Sequence, residues 1–342
     1  MDRRSFDADI VVVGGGPAGS AAAISCAQRG LKVILCEREK GDRDRPGETL
    51  HPGAEPILAQ LGVAGHLAGV TGARHEGIWI EKSGKRHFEA FGGGAGDRWM
   101  GLQVWRADFD ALLLGRAAEL GVDIRRGCAP RDVLRAGPSI CGLRMADGDI
   151  SARMVVDATG SARWLGRILE IDMPPRSPRL IAFYGYVEGA CPERDLAPLL
   201  VADAAGWTWT ARVKPGLYQW TRMRFGETAS AIVPPEELSR LAPVGRMKGA
   251  DVTWRMASQI SGPGWFIVGD AAAVLDPASS HGVLKALMSG ILAGQLIEAS
   301  LSGKAPPAEL SASYHRWLAR WFETDILQLG RFYRELGATE FA

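Results

Sequence analysis

Three glycines in the pattern Gly14-x-Gly16-x-x-Gly19, with Pro17 inside the pattern and Glu37 beyond it, are the residues whose types and spacing point most directly to chemistry. Gly14 permits a sharp turn, Gly16 lets the backbone approach a pyrophosphate, and Gly19 lets a helix lie close against a strand. Pro17 suits a first helical position. The helix that follows would offer free backbone N–H groups and its positive dipole end to phosphates. Glu37 is placed to accept hydrogen bonds from a ribose diol and would repel a 2′-phosphate, which favours FAD or NAD at this site over NADP.

Elements that could hold these residues are legible on either side. Ile10 to Val13 is a β-branched run of the kind buried on both faces of a parallel sheet. Small residues Ala18 to Ala23 give a slim helix that stops at Gly30, and Leu31 to Cys36 forms the next strand, with Glu37 at its tip. A polar loop, Arg38 to Arg45, leads to a shaped Pro/Gly segment, Pro46 to Gly53, and a short helix, Ala54 to Leu61. Trp79 lies in a hairpin that turns at Lys82-Ser83-Gly84-Lys85, and Gly92 to Gly96 reads as a mobile loop. Arg106 opens a helix to Leu120, closed by Gly121. Val122 to Arg125, Leu143 to Met145 and Ala152 to Val156 read as strands, the last entering a second glycine turn, Asp157-Ala-Thr-Gly160.

From Leu180 to about Arg255 the strands alternate and become aromatic, including Gly206-Trp207-Thr208-Trp209, which predicts a second, antiparallel sheet. Trp265 to Asp270 returns to the buried type and leads to the loop Asp276 to Gly282 and a small-residue helix to about Leu301. Pro307 to Leu336 is helical in pattern and aromatic. The expected fold is therefore α/β, with a Rossmann-like nucleotide-binding domain interleaved with a second domain built on an antiparallel sheet, plus C-terminal helices.

The chain has 342 residues and a formal net charge of +1, so no basic excess points to nucleic acid or an anionic membrane surface. The N-terminal stretch is too short for a signal h-region or a membrane span, so a cytoplasmic location without stable membrane association is expected. Five separated cysteines, without a Cys-x-x-Cys, indicate neither a disulfide framework nor a metal site.

Gly14-x-Gly16-x-x-Gly19 with Glu37, Arg106, Asp157-Ala-Thr-Gly160 and Gly269-Asp270 with Pro277 together resemble the FAD-dependent monooxygenases of the p-hydroxybenzoate hydroxylase fold. Pro46-Gly47-Glu48-Thr49-Leu50 and Gly206-Trp207-Thr208-Trp209 are similar to elements of the tryptophan-halogenase-like branch. Asp157-Ala-Thr-Gly-Ser-Ala-Arg-Trp-Leu and Asp276-Pro-Ala-Ser-Ser-His-Gly-Val-Leu-Lys-Ala-Leu look most like flavoproteins that mature tryptophylquinone cofactors. The resemblance implies residues 1–75, 100–179 and 256–303 as the FAD-binding domain, 76–99 and 180–255 as the substrate domain, and 304–342 as a C-terminal helical cap.

Within that resemblance, Gly14, Gly16, Pro17, Ala18 and Gly19 would cradle the pyrophosphate, with Glu37 on the adenosine ribose and Arg38 beside it. Arg45, Gly47 and Glu48 would lie along the isoalloxazine, and Arg106 would counter phosphate charge. Gly160, Asp270 and Pro277 complete the cofactor set, and Gly282 and Val283 would put backbone N–H groups near the flavin's pyrimidine edge. Trp79, Trp207 and Trp209 are candidate pocket residues, the last two also ordinary core residues of a strand. His281 is a candidate base.

The resemblance implies hydroxylation of an aromatic substrate, plausibly a peptidyl tryptophan on a protein client, with molecular oxygen and electrons from NAD(P)H or a partner flavin reductase. Three other functions share the scaffold: a flavin-dependent halogenase, an isoprenoid-type double-bond reductase and a non-catalytic flavoprotein assembly factor. Halogenation would need a lysine between flavin and substrate. Lys82 and Lys85 lie in a suggestive region but read as a solvated hairpin tip. The halogenase stretch Gly-Trp-x-Trp-x-Ile-Pro is broken by Ala211 and Arg212.

Overall fold

The structure is a computed structural model that describes residues 6–41, 45–92, 99–226 and 232–341. The expected loop from Gly92 to Gly96 falls mostly outside them. Ala8–Val13 is buried except at the half-buried Asp9 and pairs in parallel with Val33–Glu37 on one side and Asp149–Asp157 on the other. With neighbours on both edges it has no polar face to show, which accounts for its unbroken apolar run. Asp123–Arg126 and Trp265–Ile267 extend the parallel sheet, and Ser261–Gly262 adds an antiparallel edge. An antiparallel branch, Ser139–Arg144 with Asp132–Ala136, gives eight strands among the described residues.

Seven α-helices are described: α1 (Pro17–Ala27), α2 (Ala54–Gln60), α3 (Arg106–Glu119), α4 (Trp164–Ile168), α5 (Pro192–Leu196), α6 (Gly282–Leu301) and α7 (Pro307–Glu335). The α1–α6 contact depends on small residues. A Cβ on Gly290 would lie 2.3 Å from the Ala18 carbonyl oxygen, and one on Gly294 would lie 2.6 Å from Ser25 Oγ. α6 is long and apolar enough to cross a membrane, and here its inner face packs on α1. Cys26 and Cys36 are buried beneath these layers, and burial pushes both thiols up to about 12.

The second sheet has seven strands in the order Ala242–Asp251, Ile181–Glu188, Leu217–Arg224, Gly206–Lys214, Leu199–Asp203, Gly77–Lys82 and Lys85–Ala90. It is antiparallel except where Leu199–Asp203 runs parallel to Gly77–Lys82. That exception follows from chain order, since the early hairpin is joined by a strand arriving more than a hundred residues later. A small sheet of Thr49–Leu50, Gly101–Val104 and Thr71–His75 brackets the hairpin 77–90 of the second sheet in sequence. The strand expected to reach Asp270 stops at Ile267, because Gly269 takes φ +61° and starts a tight turn.

Candidate functional site

The nucleotide turn is built on backbone contacts that exclude side chains. Gly14 has φ +106°, and a Cβ there would sit 2.5 Å from the Ala158 carbonyl oxygen. A Cβ on Gly19 would sit 1.9 Å from the Gly14 carbonyl oxygen, whereas one on Gly16 would meet nothing within 4 Å. Gly16 caps α1 in an extended conformation, with Pro17 at the first helical position. Glu37 is buried; its carboxylate accepts from Gly15 N (2.7 Å) and Glu39 N (2.9 Å). A narrow cleft beside it is lined by Glu39, Asp110 and Arg126. Arg38 does not join this cleft: its side chain is 65% exposed and paired with Glu39. The strand register brings Arg126 opposite Glu37 instead, and a pairing across separate strands leaves no trace in local sequence.

Two further turns close on the same place. Asp157 accepts from Thr159 N, Thr159 Oγ1 and Leu165 N, so its carboxylate shapes the turn that ends at Gly160. A Cβ on Gly160 would lie 3.9 Å from Arg45 Nη1. Arg106 donates to the Pro46 carbonyl at 2.6 Å and pairs with Asp110 at 3.1 Å. Burial works against its charge, but Asp110, Glu48 and Asp270 together outweigh burial, so its pKa is raised. A Cβ on Gly47 would lie 2.8 Å from Arg106 Nη1 and 3.6 Å from Val283 Cγ2, which places the loop at the start of α6. No Cβ partner lies within 4 Å of Gly282. Asp270 reaches solvent but is enclosed by protein, which raises its pKa against the pull of Lys285, Arg106 and Arg45.

Glu48 points to the second sheet. It accepts from Gly47 N at 2.8 Å and from the Tyr186 hydroxyl, while burial pushes its carboxyl up to about 7. Tyr186 is itself edge-on to Trp105 and Tyr184. Next to Glu48, Thr49 Oγ1 donates to Gln103, whose amide reaches the buried His75; burial pushes His75 down to about 4.

Residues directly opposed on paired strands share a face. Trp209 aligns with Thr221, and Thr221 with Tyr184, on the face that carries Tyr186 toward Glu48. Trp79 aligns with Leu199, Leu199 with Thr210, and Thr210 with Trp220, on the opposite face. The expectation that Trp79 lines the pocket is therefore corrected: it packs on Phe88 under Arg86, away from Glu48. Trp207 is also corrected to core, since it is 3% exposed and its indole N–H donates to Tyr333 (3.1 Å). Trp209 keeps the pocket-facing position, partly exposed and with its buried indole N–H unpartnered.

Tyr333 donates onward to Asp276 (2.8 Å), which also accepts from Trp254 Nε1 (2.6 Å) and Ala278 N. Burial pushes Asp276 up to about 6. This network, absent from the sequence reading, ties α7 and the second sheet to the turn Pro277–Ser279. Lys82 and Lys85 face each other across the hairpin turn. His281 caps α6 beside His51 and Trp321, with Nδ1 3.1 Å from Asp325 Oδ1.

The residues fit FAD. Gly16 and Gly282 face open space at two helix N-termini, Glu37 offers a carboxylate at a strand tip, and Arg106 stands beside the loop from Arg45 to Glu48. The sequence profile described as FAD dependent oxidoreductase matches residues 9–41, and that described as tryptophan halogenase matches residues 100–325. A 1H-pyrrole-2-carbonyl-(peptidyl-carrier protein) brominase of Pseudoalteromonas luteoviolacea is 28% identical over 86% of this chain and 78% of its own length. A tryptophan 2-halogenase of Chondromyces crocatus is 28% identical over 95% and 67%. The solved myxobacterial chondrochloren halogenase superposes with TM-score 0.83 at 27% identity, covering 96% of this chain and 81% of that one. With two-thirds of its length inside the second profile, the chain belongs to the tryptophan halogenase family.

Proposed function

We propose that the protein is a flavin-dependent halogenase acting on an aromatic ring. The observation that carries this is the family match, which spans both the nucleotide turns after Arg106 and the second sheet that faces them. The substrate class it favours is a free aromatic or one borne on a carrier or polypeptide, as the names of the relatives suggest.

Gly14, Gly16, Pro17, Ala18 and Gly19 would hold the FAD pyrophosphate, Glu37 the adenosine ribose, and Arg45, Gly47, Glu48, Gly282 and Val283 the flavin end. Bound FAD, reduced by NAD(P)H or a partner reductase, supplies the activation of molecular oxygen. Arg106 holds the loop from Pro46 to Glu48 in place, and Glu48 with Tyr186 joins that loop to the second sheet. Trp209, partly exposed, lies on the same face of the second sheet as the buried Tyr184 and Tyr186.

A second reading, hydroxylation of a peptidyl tryptophan during tryptophylquinone maturation, is favoured by the exposed hairpin position of Lys85 and by Ala211 and Arg212 in the broken Trp motif. The deciding experiment supplies FAD, a flavin reductase, NADH and oxygen with tryptophan, a tryptophan peptide or carrier-bound pyrrole, with and without bromide. A halide-dependent product one bromine heavier supports halogenation. A product one oxygen heavier, formed equally without halide, overturns it in favour of hydroxylation.

A further inference from the structure

His281 stands where three elements meet. Its ring is edge-on to His51, before α2, at 5.2 Å, and to Trp321 of α7 at 5.5 Å. Its Nδ1 lies 3.1 Å from Asp325 Oδ1, also on α7. Asp325 sits in the inward stripe of α7 formed by Leu318, Phe322 and Leu329, all buried. Packing alone gives no reason for an acid there, since burying a carboxylate is costly unless it is paired. Asp325 is 3% exposed and its Oδ2 has no hydrogen-bond partner.

The charge is balanced from α6. Lys285 is 2% exposed; burial lowers its pKa, and Asp270 and Asp325 act against that fall. The groups facing His281 are thus Asp325 and His51, with Lys285 and, through it, Asp270 behind them.

Beside the pair is a cavity of about 140 Å³ lined by Ala278, Ser279, Gln328, Leu329 and Phe332 together with His281 and Asp325. A cavity of about 150 Å³ accommodates benzene, so the space suits one aromatic ring. The His281 side chain is 23% exposed and reachable from it, whereas that of Asp325 is 4% exposed and behind it.

We propose that the cavity is a subsite for the reacting aromatic ring, that His281 is the base serving it, and that Asp325 is its positioning residue. This rests on the reading of ring substitution given above. In that substitution a ring carbon takes the halogen of a hypohalous acid, made from halide and oxygen with electrons from NAD(P)H, as the halogen–oxygen bond breaks and hydroxide leaves; the ring C–H bond then breaks, its electron pair returns to the ring, and a proton must leave, which with the hydroxide makes water. His281 Nε2 takes that proton. Asp325 accepts from Nδ1–H, which fixes the tautomer with Nε2 free and favours the imidazolium once formed.

The test uses the FAD-loaded protein with His281→Gln, Asp325→Asn and Asp325→Glu, and indole as the ring probe. Flavin content stays at the wild-type level in all three. Product formation falls by about 10²- to 10⁴-fold in His281→Gln, the range for loss of a general base, and its acid limb disappears. In Asp325→Asn the rate falls while flavin content holds, because Nδ1–H loses the carboxylate that fixes the tautomer, and Asp325→Glu restores part of the rate.

Independently of turnover, indole shifts the His281 ring signals in an NMR titration of the wild type and does so less in Asp325→Asn. A wild-type rate in Asp325→Asn, or indole binding that leaves the His281 signals unmoved, overturns the proposal. Absence of any ring-substituted product from the wild type sinks the halogenase reading, and the indole titration alone then decides the subsite.

Discussion

At the nucleotide turn of the first sheet a Cβ on Gly19 would overlap the Gly14 carbonyl oxygen at 1.9 Å, while on the second sheet Trp209 keeps a buried indole N–H with no partner. The first region works by bringing backbones together, with glycines at every close approach. The second works by side chains whose neighbours arrive from distant segments, such as Tyr186 on Glu48 and Tyr333 on Asp276. A backbone site tolerates almost no change and serves any chemistry of one cofactor. A side-chain site tolerates change and sets which ring is accepted.

The largest effect expected from that contrast is Gly19→Ala. The clash is with backbone that cannot swing away, so the variant should lose its flavin and about 3 kcal/mol or more of stability. Trp209→Phe, which discards no hydrogen bond, should keep its flavin at a cost below about 1.5 kcal/mol. Absorbance of the purified proteins and thermal melts compare the two. A Gly19→Ala protein that stays fully yellow would break the distinction.

Glu48 belongs to both regions and gives the next effect. Its carboxyl titrates near 7 in the folded chain against 4.5 ordinarily, so between those values the folded state holds a proton that the unfolded state has released. Stability is then lost as pH rises through that window, by about 3 kcal/mol at 1.36 kcal/mol per pKa unit. Glu48→Gln cannot ionise and should lack this loss, while its amide still bonds Gly47 N and Tyr186. Urea unfolding of both proteins on the two sides of the window measures it, and identical slopes in the two would show that Glu48 is not buried as described.

What could be read from sequence divides along the same line. Gly14, Gly16 and Gly19 announce themselves because the constraint and the residue that meets it are the same position, and Pro17 and Pro307 mark helix starts for an equally local reason. The pairs that shape the second region are separated by 138 residues for Tyr186 and Glu48, 57 for Tyr333 and Asp276, and 44 for His281 and Asp325. No window along the chain contains both partners. Trp79, a candidate pocket residue, lies on the far face because parity depends on which strand it pairs with, and the pairing with Leu199–Asp203 leaves no local mark. Ala242–Asp251 escaped for another reason: a strand with a proline and two glycines is tolerated at a sheet edge, where its pattern is weak. Asp325 did leave a mark, as the acid in an apolar stripe with Leu318, Phe322 and Leu329.

A smaller effect tests whether the second region is held by its side-chain network. Tyr333→Phe removes the acceptor of Trp207 Nε1 and one donor to Asp276, all three residues being buried. A loss of about 2 kcal/mol is expected, with Trp254 and Ala278 still bonded to Asp276. Flavin content should be unchanged, since no contact of the first sheet is touched. A protein that loses flavin along with stability would show that the two regions are one cooperative unit.

The smallest effect is expected at Lys82 and Lys85, and it bears directly on the chemistry. Both flank the turn formed by Ser83 at φ +52° and Gly84 at φ +73°, on the outermost hairpin of the second sheet. Lys85 is exposed and Lys82 half-buried, and lysines at a hairpin tip contribute little, so Lys82→Ala and Lys85→Ala should each alter stability by less than about 0.5 kcal/mol. Turnover then reads the chemistry alone: product formation that stays at the wild-type level leaves halogenation without the lysine it needs and favours the hydroxylation reading, whereas His281→Gln lowers it by about 10²- to 10⁴-fold. If Lys85→Ala instead ended turnover with flavin content intact, the edge hairpin would have to reach the reacting ring. The cavity beside His281 would then be only part of a pocket that the hairpin completes.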